Sequence, residues 1–194
     1  PLARSAKDLE IAMDIMAGPI EREARGWQLN LPESRKSNLK DFNVAIWSND
    51  ELAPVSKDIS QRCEDVGKNL ASIGVNVSYT AKPEHDFLKA EINYQLLLQS
   101  VMQSGMSDDE FKKIEEIAST LDRNDLSADA ILAKGTVLSH RNWIRQNYAR
   151  EQIKISWSKF FQEWDILICP QLATTAIEHD HRKMSERTIM IDNQ

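Results

Sequence analysis

Phe42-Asn43-Val44-Ala45-Ile46-Trp47, closed by Ser48-Asn49-Asp50, is the stretch on which the reading of this 194-residue chain turns. Its β-branched and aromatic residues run without a break and end in turn formers, which predicts a buried strand. Downstream, Ile59, Cys63, Val66, Leu70 and Ile73 recur at intervals of four, three, four and three, a helical spacing that Gly74 stops. Val75 to Thr80 then alternates as a short strand. Strand, helix and strand within about 40 residues make a βαβ unit, whose strands run parallel with a right-handed crossover.

Working outward, Asp165-Ile166-Leu167-Ile168-Cys169-Pro170 is a continuous apolar run ended by proline. It predicts a third parallel strand, buried on both faces. Between Asp86 and Trp164 no strand pattern occurs, and several helical ones do. Tyr94, Leu97, Leu98 and Val101 mark a helix ending near Gly105. Ser107-Asp108-Asp109-Glu110 is a capping box opening a helix through Phe111, Ile114, Ala118 and Leu121. A long helix follows Ser139 and ends with Trp157, Phe160, Phe161 and Trp164 on one face, the spacing of a core stripe. Upstream, Ser5 caps an amphipathic helix with Asp8 at its third position and Leu9, Ala12, Met13 and Met16 along one side, ended by Gly18-Pro19. Residues 20–40 form a polar connection anchored by Trp27, Leu29 and Leu31, and Thr188 to Ile191 reads as a last strand entering a turn over 192–194. The fold class is α/β: helix-rich, with a small, largely parallel sheet and a long helical insertion.

Lys and Arg number 24 against 30 Asp and Glu, a net charge of −6, which argues against phosphate backbones and hence nucleic acid as partners. The 41% hydrophobic and 28% charged shares belong to a globular chain. The longest apolar stretches fall far short of the roughly 20 residues of a membrane span. Cys63 and Cys169 are read as buried thiols rather than a disulfide, which favours a cytoplasmic location. Pro1 stands where a methionine would open a complete chain, and no basic and apolar leader follows it, so an excised segment is expected.

Spacing alone reveals no catalytic site. His179-Asp180-His181 offers metal-ligand types, but without an HExxH or CxxC pattern it reads as a solvated loop in preference to a metal site. Ser139 and His140 are neighbours on a helix start and do not face each other, so Ser139 is read as an N-cap. Ser37 and Lys40 form an SxxK match that reads as chance. Cys169 ends a strand where α/β folds place functional groups; core packing and a reactive thiol are its two readings. Arg141, Arg145, Arg150 and Lys154 make a solvated helix face.

The residues themselves resemble a family. Pro1-Leu2-Ala3-Arg4-Ser5-Ala6-Lys7-Asp8-Leu9, running to Asp14-Ile15-Met16-Ala17-Gly18-Pro19, is similar to a segment of the amidase signature hydrolases. Further similar stretches keep family order: Leu39 to Ala45, Gly135 to Trp143, Phe161 to Pro170, and Ala173-Thr174-Thr175-Ala176. The resemblance covers nearly the whole chain and implies a serine hydrolase of small-molecule amides, working through an acyl-enzyme without metal or organic cofactor. It implies equally that the nucleophilic serine, its bridging serine and its lysine precede Pro1, so no catalytic residue is assigned here. Residues 1–194 would then be a single domain or the excised C-terminal portion of an α/β/α sandwich, with Thr174 and Thr175 as substrate-binding residues. Open edges and apolar helix faces would favour self-association of the isolated segment. The alternatives are a non-catalytic α/β binding or assembly module on the same scaffold, and a small hydrolase using Cys169.

Overall fold

The computed structural model describes residues 2–182 and 186–192. It divides into two units, Pro1–Ser37 and Asn38–Gln194. In the first unit, α1 (Ala6–Met16) begins as its sequence dictates: the Ser5 hydroxyl accepts the Asp8 N–H at 3.1 Å. Its apolar stripe is present, yet no residue of α1 is buried, and the expected anchors Trp27, Leu29 and Leu31 are exposed as well.

The second unit is built on the predicted βαβ unit. Strand β1 (Asn43–Ile46), helix α2 (Lys57–Ser72) and strand β2 (Asn76–Ser78) are joined by β3 (Ile166–Ile168) in a parallel sheet of order β2-β1-β3. Val44 pairs with Val77 on one side and Ile166 on the other. As the central strand, β1 buries Val44, Ala45 and Ile46 almost completely. Val44, Ile46 and Val75 form the core, with Cys63, Leu70 and Ile168 packed against it. Helix α2 reaches the sheet at Gly67, where a Cβ would lie 2.9 Å from Ile46 Cγ1 and 2.6 Å from the Tyr79 hydroxyl. The helix stops at Gly74, whose φ of +92° a residue with a side chain adopts only with strain.

Asn43 ties the start of the sheet together. Its N–H donates to Asp165 Oδ2 at 2.8 Å, its carbonyl accepts the Asp165 N–H at 2.9 Å, and its side chain links Glu163 and Asn76. Two strand expectations are corrected. The third strand is not buried on both faces: β3 lies at the sheet edge, with Ile166 exposed and Cys169 beyond it exposed, not buried. Thr188 to Ile191 forms no strand, because no ladder partner meets it among the described residues. The turn after it is present in part, with Asp192 at φ 50°, while residues 193 and 194 lie outside the described residues. The Asp192 carboxylate accepts the Lys57 N–H at 3.0 Å and serves the first turn of α2.

The helical insertion comprises α3 (Phe87–Met102), α4 (Asp108–Thr120), α5 (Ala128–Thr136) and α6 (His140–Glu163). The capping box at α4 is complete, and Ser139 caps α6 by accepting the Asn142 N–H at 3.3 Å. Small residues let α5 approach α3 closely: a Cβ on Gly135 would stand 2.7 Å from Gln99 Cβ and 3.1 Å from the Leu96 carbonyl oxygen. Buried Asn93 joins α3 to α6 through two 2.8 Å bonds to Gln146. Of the aromatic stripe on α6, Phe160 is buried and Phe161 is exposed, so the expected four-residue core is partial.

Candidate functional site

Because β1 and β3 are parallel neighbours, their carboxyl ends open on the same edge of the sheet, where open α/β sheets bind ligands. Two loops leave this edge, 47–56 after β1 and 169–175 after β3. The Trp47 N–H donates to the Ile168 carbonyl at 2.9 Å, and the Ser56 N–H donates to the Ala173 carbonyl at 2.8 Å, so the first loop is fastened at its start to the end of β3 and at its end to the second loop. Between them lies a cavity of about 330 Å³, walled by Trp47 and Ala53 to Val55 from one loop and by Cys169 to Ala173 from the other.

Asp50 organises the first loop. One of its oxygens accepts the Leu52 N–H at 3.0 Å; the other accepts the Trp47 indole N–H at 3.1 Å and the Lys82 ammonium at 2.9 Å. Lys82 also sits 4.4 Å from the centroid of the Trp47 ring, a cation–π contact that fixes the indole from its face. The bond from Lys82, helped by the Leu52 amide, holds the Asp50 carboxyl below the usual carboxylate range. A depressed folded-state pKa means that this contribution is present above the ordinary value, about 3.9, and is lost as pH falls through the lowered one. The Trp47 indole N–H resonance is therefore expected to hold steady from neutral pH down to about pH 4 and to shift only below it.

Thr174 and Thr175 follow directly on Ala173, the last residue of the cavity wall; Thr174 is half-buried and Thr175 exposed. Cys169 stands in the wall as a free, exposed thiol, while burial pushes the thiol of half-buried Cys63 up. In the loop at 179–181 both histidines are exposed and Asp180 is half-buried. Its Asp180 carboxylate is taken by Arg182 through bonds of 2.7 to 3.1 Å, which also hold the carboxyl below its ordinary range. Arg141, Arg145, Arg150 and Lys154 are exposed, with Lys154 paired to Glu151 at 3.0 Å.

One pairing is invisible in the sequence: His85 Nδ1 lies 3.1 Å from the Ser156 hydroxyl on a wide cleft of about 750 Å³. The imidazole packs against Phe87 at 4.4 Å, and burial pushes its pKa down. Ser156 is in the interior of α6, where the helix consumes the neighbouring backbone N–H groups and leaves none for an oxyanion. It serves to fasten the loop after β2 to α6.

A family model described as Amidase matches residues 1–194, and the chain belongs to the amidase family. The chain is 25% identical over 190 residues to a glutamyl-tRNA(Gln) amidotransferase subunit of Saccharolobus solfataricus, a match covering 89% of this chain and 39% of that relative. The corresponding amidotransferase subunit of Sulfolobus acidocaldarius is 31% identical over 84 residues, covering 41% of this chain and 17% of the relative. The chain thus spans about two-fifths of the length of the first of these relatives. Among the described residues no helix is long and apolar enough to cross a membrane.

Proposed function

We propose that this chain is the C-terminal part of an amidase that hydrolyses the carbon–nitrogen bond of small-molecule amides, with the catalytic serine and its activating groups upstream of Pro1. The observation that carries the reading is a family match over the whole chain, joined to a ligand-sized cavity whose wall holds no paired nucleophile and base. A serine oxygen contributed by the upstream part would attack the amide carbonyl. The carbon–nitrogen bond then breaks, the amine leaves with a proton, and water releases the acid from the ester. In this scheme the present chain supplies part of the substrate wall, with Thr174 and Thr175 reaching the substrate from the loop after β3. Neither metal nor organic cofactor is required.

Exposed Leu52, Ile73, Val101 and Met102 fit a segment that is covered in the longer protein and self-associates when isolated. The two free cysteines fit a cytoplasmic location. A second reading follows from the relatives, which are amidotransferase subunits: the amide nitrogen would be passed to an acceptor rather than released as ammonia. A non-catalytic module on the same scaffold is the remaining alternative.

Ammonia release from a panel of primary amides separates these readings. A longer protein including the upstream part is expected to release ammonia, and the 194-residue chain alone is expected to release none. Activity of the short chain by itself would overturn the assignment and return attention to Cys169.

A further inference from the structure

We propose that the connection between α4 and α5 is a cation site that Lys134 fills from within the chain, and that a free monovalent cation takes its place when the ammonium is removed. The proposal is independent of the amidase reading above. The Lys134 ammonium donates to the carbonyl oxygens of Asp122 at 2.7 Å, Arg123 at 3.3 Å and Asp125 at 2.6 Å. A lysine has three N–H donors, and three backbone carbonyls converge on this half-buried one from nine to twelve residues back along the chain. The loop is folded to present them. Asp122 Oδ1 accepts the Asn124 N–H at 2.7 Å, Asp125 Oδ1 accepts the Ser127 N–H at 2.9 Å, and the Asp125 N–H closes a turn on the Asp122 carbonyl at 3.2 Å.

Removing the ammonium leaves three carbonyl dipoles pointing at one place, an arrangement that a cation stabilises and that otherwise opens to water. The donor set selects the charge of that cation. Calcium takes six to eight oxygens, among them carboxylates, and magnesium demands a near-ideal octahedron, so three neutral carbonyls suit neither. Carbonyl oxygens do replace the hydration shell of potassium, an ion close in size to ammonium. Lys134 therefore acts as a tethered counterpart of potassium, and it makes the order of this loop independent of the surrounding salt.

The test uses the full-length protein and follows trypsin cleavage after exposed Arg123 by mass spectrometry, normalised to the other tryptic sites. Cleavage reports how often the loop opens. Lys134→Ala is expected to be cut there at least tenfold faster than the parent. Potassium or methylammonium chloride is expected to slow that cleavage at least threefold relative to choline chloride at equal ionic strength, since choline is too large to enter among the carbonyls. The parent is expected to respond equally to all three salts. Lys134→Met, which fills the space without a charge, is expected to be cut as fast as Lys134→Ala and to gain no protection from potassium. Should Lys134→Ala fail to fold, circular dichroism reads the same site: recovery in potassium but not in choline is expected, and recovery in neither would overturn the proposal. Parent-like cleavage of Lys134→Ala would overturn the role of Lys134. Protection by choline as strong as by potassium, or by calcium alone, would overturn the monovalent site.

Discussion

Gly135→Val is expected to destabilise the second unit by about 3 kcal/mol, the upper end of the cost of overpacking a close contact. A single added Cβ already meets Gln99 Cβ at 2.7 Å, the Leu96 carbonyl oxygen at 3.1 Å and Leu96 Cα at 3.3 Å. Two of these three atoms are backbone, so the new carbon is accommodated only if α3 and α5 move apart. Valine adds two methyl groups to that conflict. It gains at most a few tenths of a kcal/mol of helix propensity over glycine, too little to offset the clash. Urea unfolding followed by far-ultraviolet circular dichroism measures the change. A stability within about 0.5 kcal/mol of the parent, the usual range for an unconstrained surface position, would show that the α3–α5 approach is not tight.

Ile46→Ala is expected to cost between about 2 and 5 kcal/mol in the same assay, because Ile46 is, with Val44, one of the two largest fully buried side chains. Ile46 is 1% exposed and faces α2 at its closest point. The two sides of that contact are coupled. In the parent, Gly67→Ala places a Cβ 2.9 Å from Ile46 Cγ1; once Ile46 is alanine that atom is gone, and only the Tyr79 ring end remains to be displaced. The cost of Gly67→Ala is therefore expected to be smaller in the Ile46→Ala background, a coupling of about 0.5 kcal/mol or more in a double-mutant cycle. Strict additivity would mean that α2 does not rest on β1 at Gly67.

What could be read from the residues depended on whether the signal was local. The β1–α2–β2 unit was legible because its periodicities are strong and Gly74 ends the helix for a conformational reason seen in the structure. The caps of α1, α4 and α6 were legible because Ser5, Ser107 and Ser139 each bond within their own first turn. Helix α5 was not, since Ala128 to Thr136 is short and joins its neighbours through alanine and glycine rather than an apolar stripe. The exposure of β3 and of the α1 stripe was also hidden, because burial belongs to what lies against an element and not to its own composition. The same holds for the candidate site. Its edge followed from parallel strands, but the cavity depends on a bond between Ser56 and Ala173, far apart in the chain. Asp50 read as turn punctuation, and its role appears only once Lys82 and Trp47 are brought to it.

The reacting serine is proposed above to belong to the part of the protein before Pro1. Treating the full-length protein with a fluorophosphonate probe, then mapping the modified peptide by mass spectrometry, locates that residue directly. The expected result is a single adduct on a serine upstream of Pro1, with residues 1–194 unmodified. An adduct on a serine within residues 1–194, with hydrolysis lost in proportion to labelling, would contradict the claim.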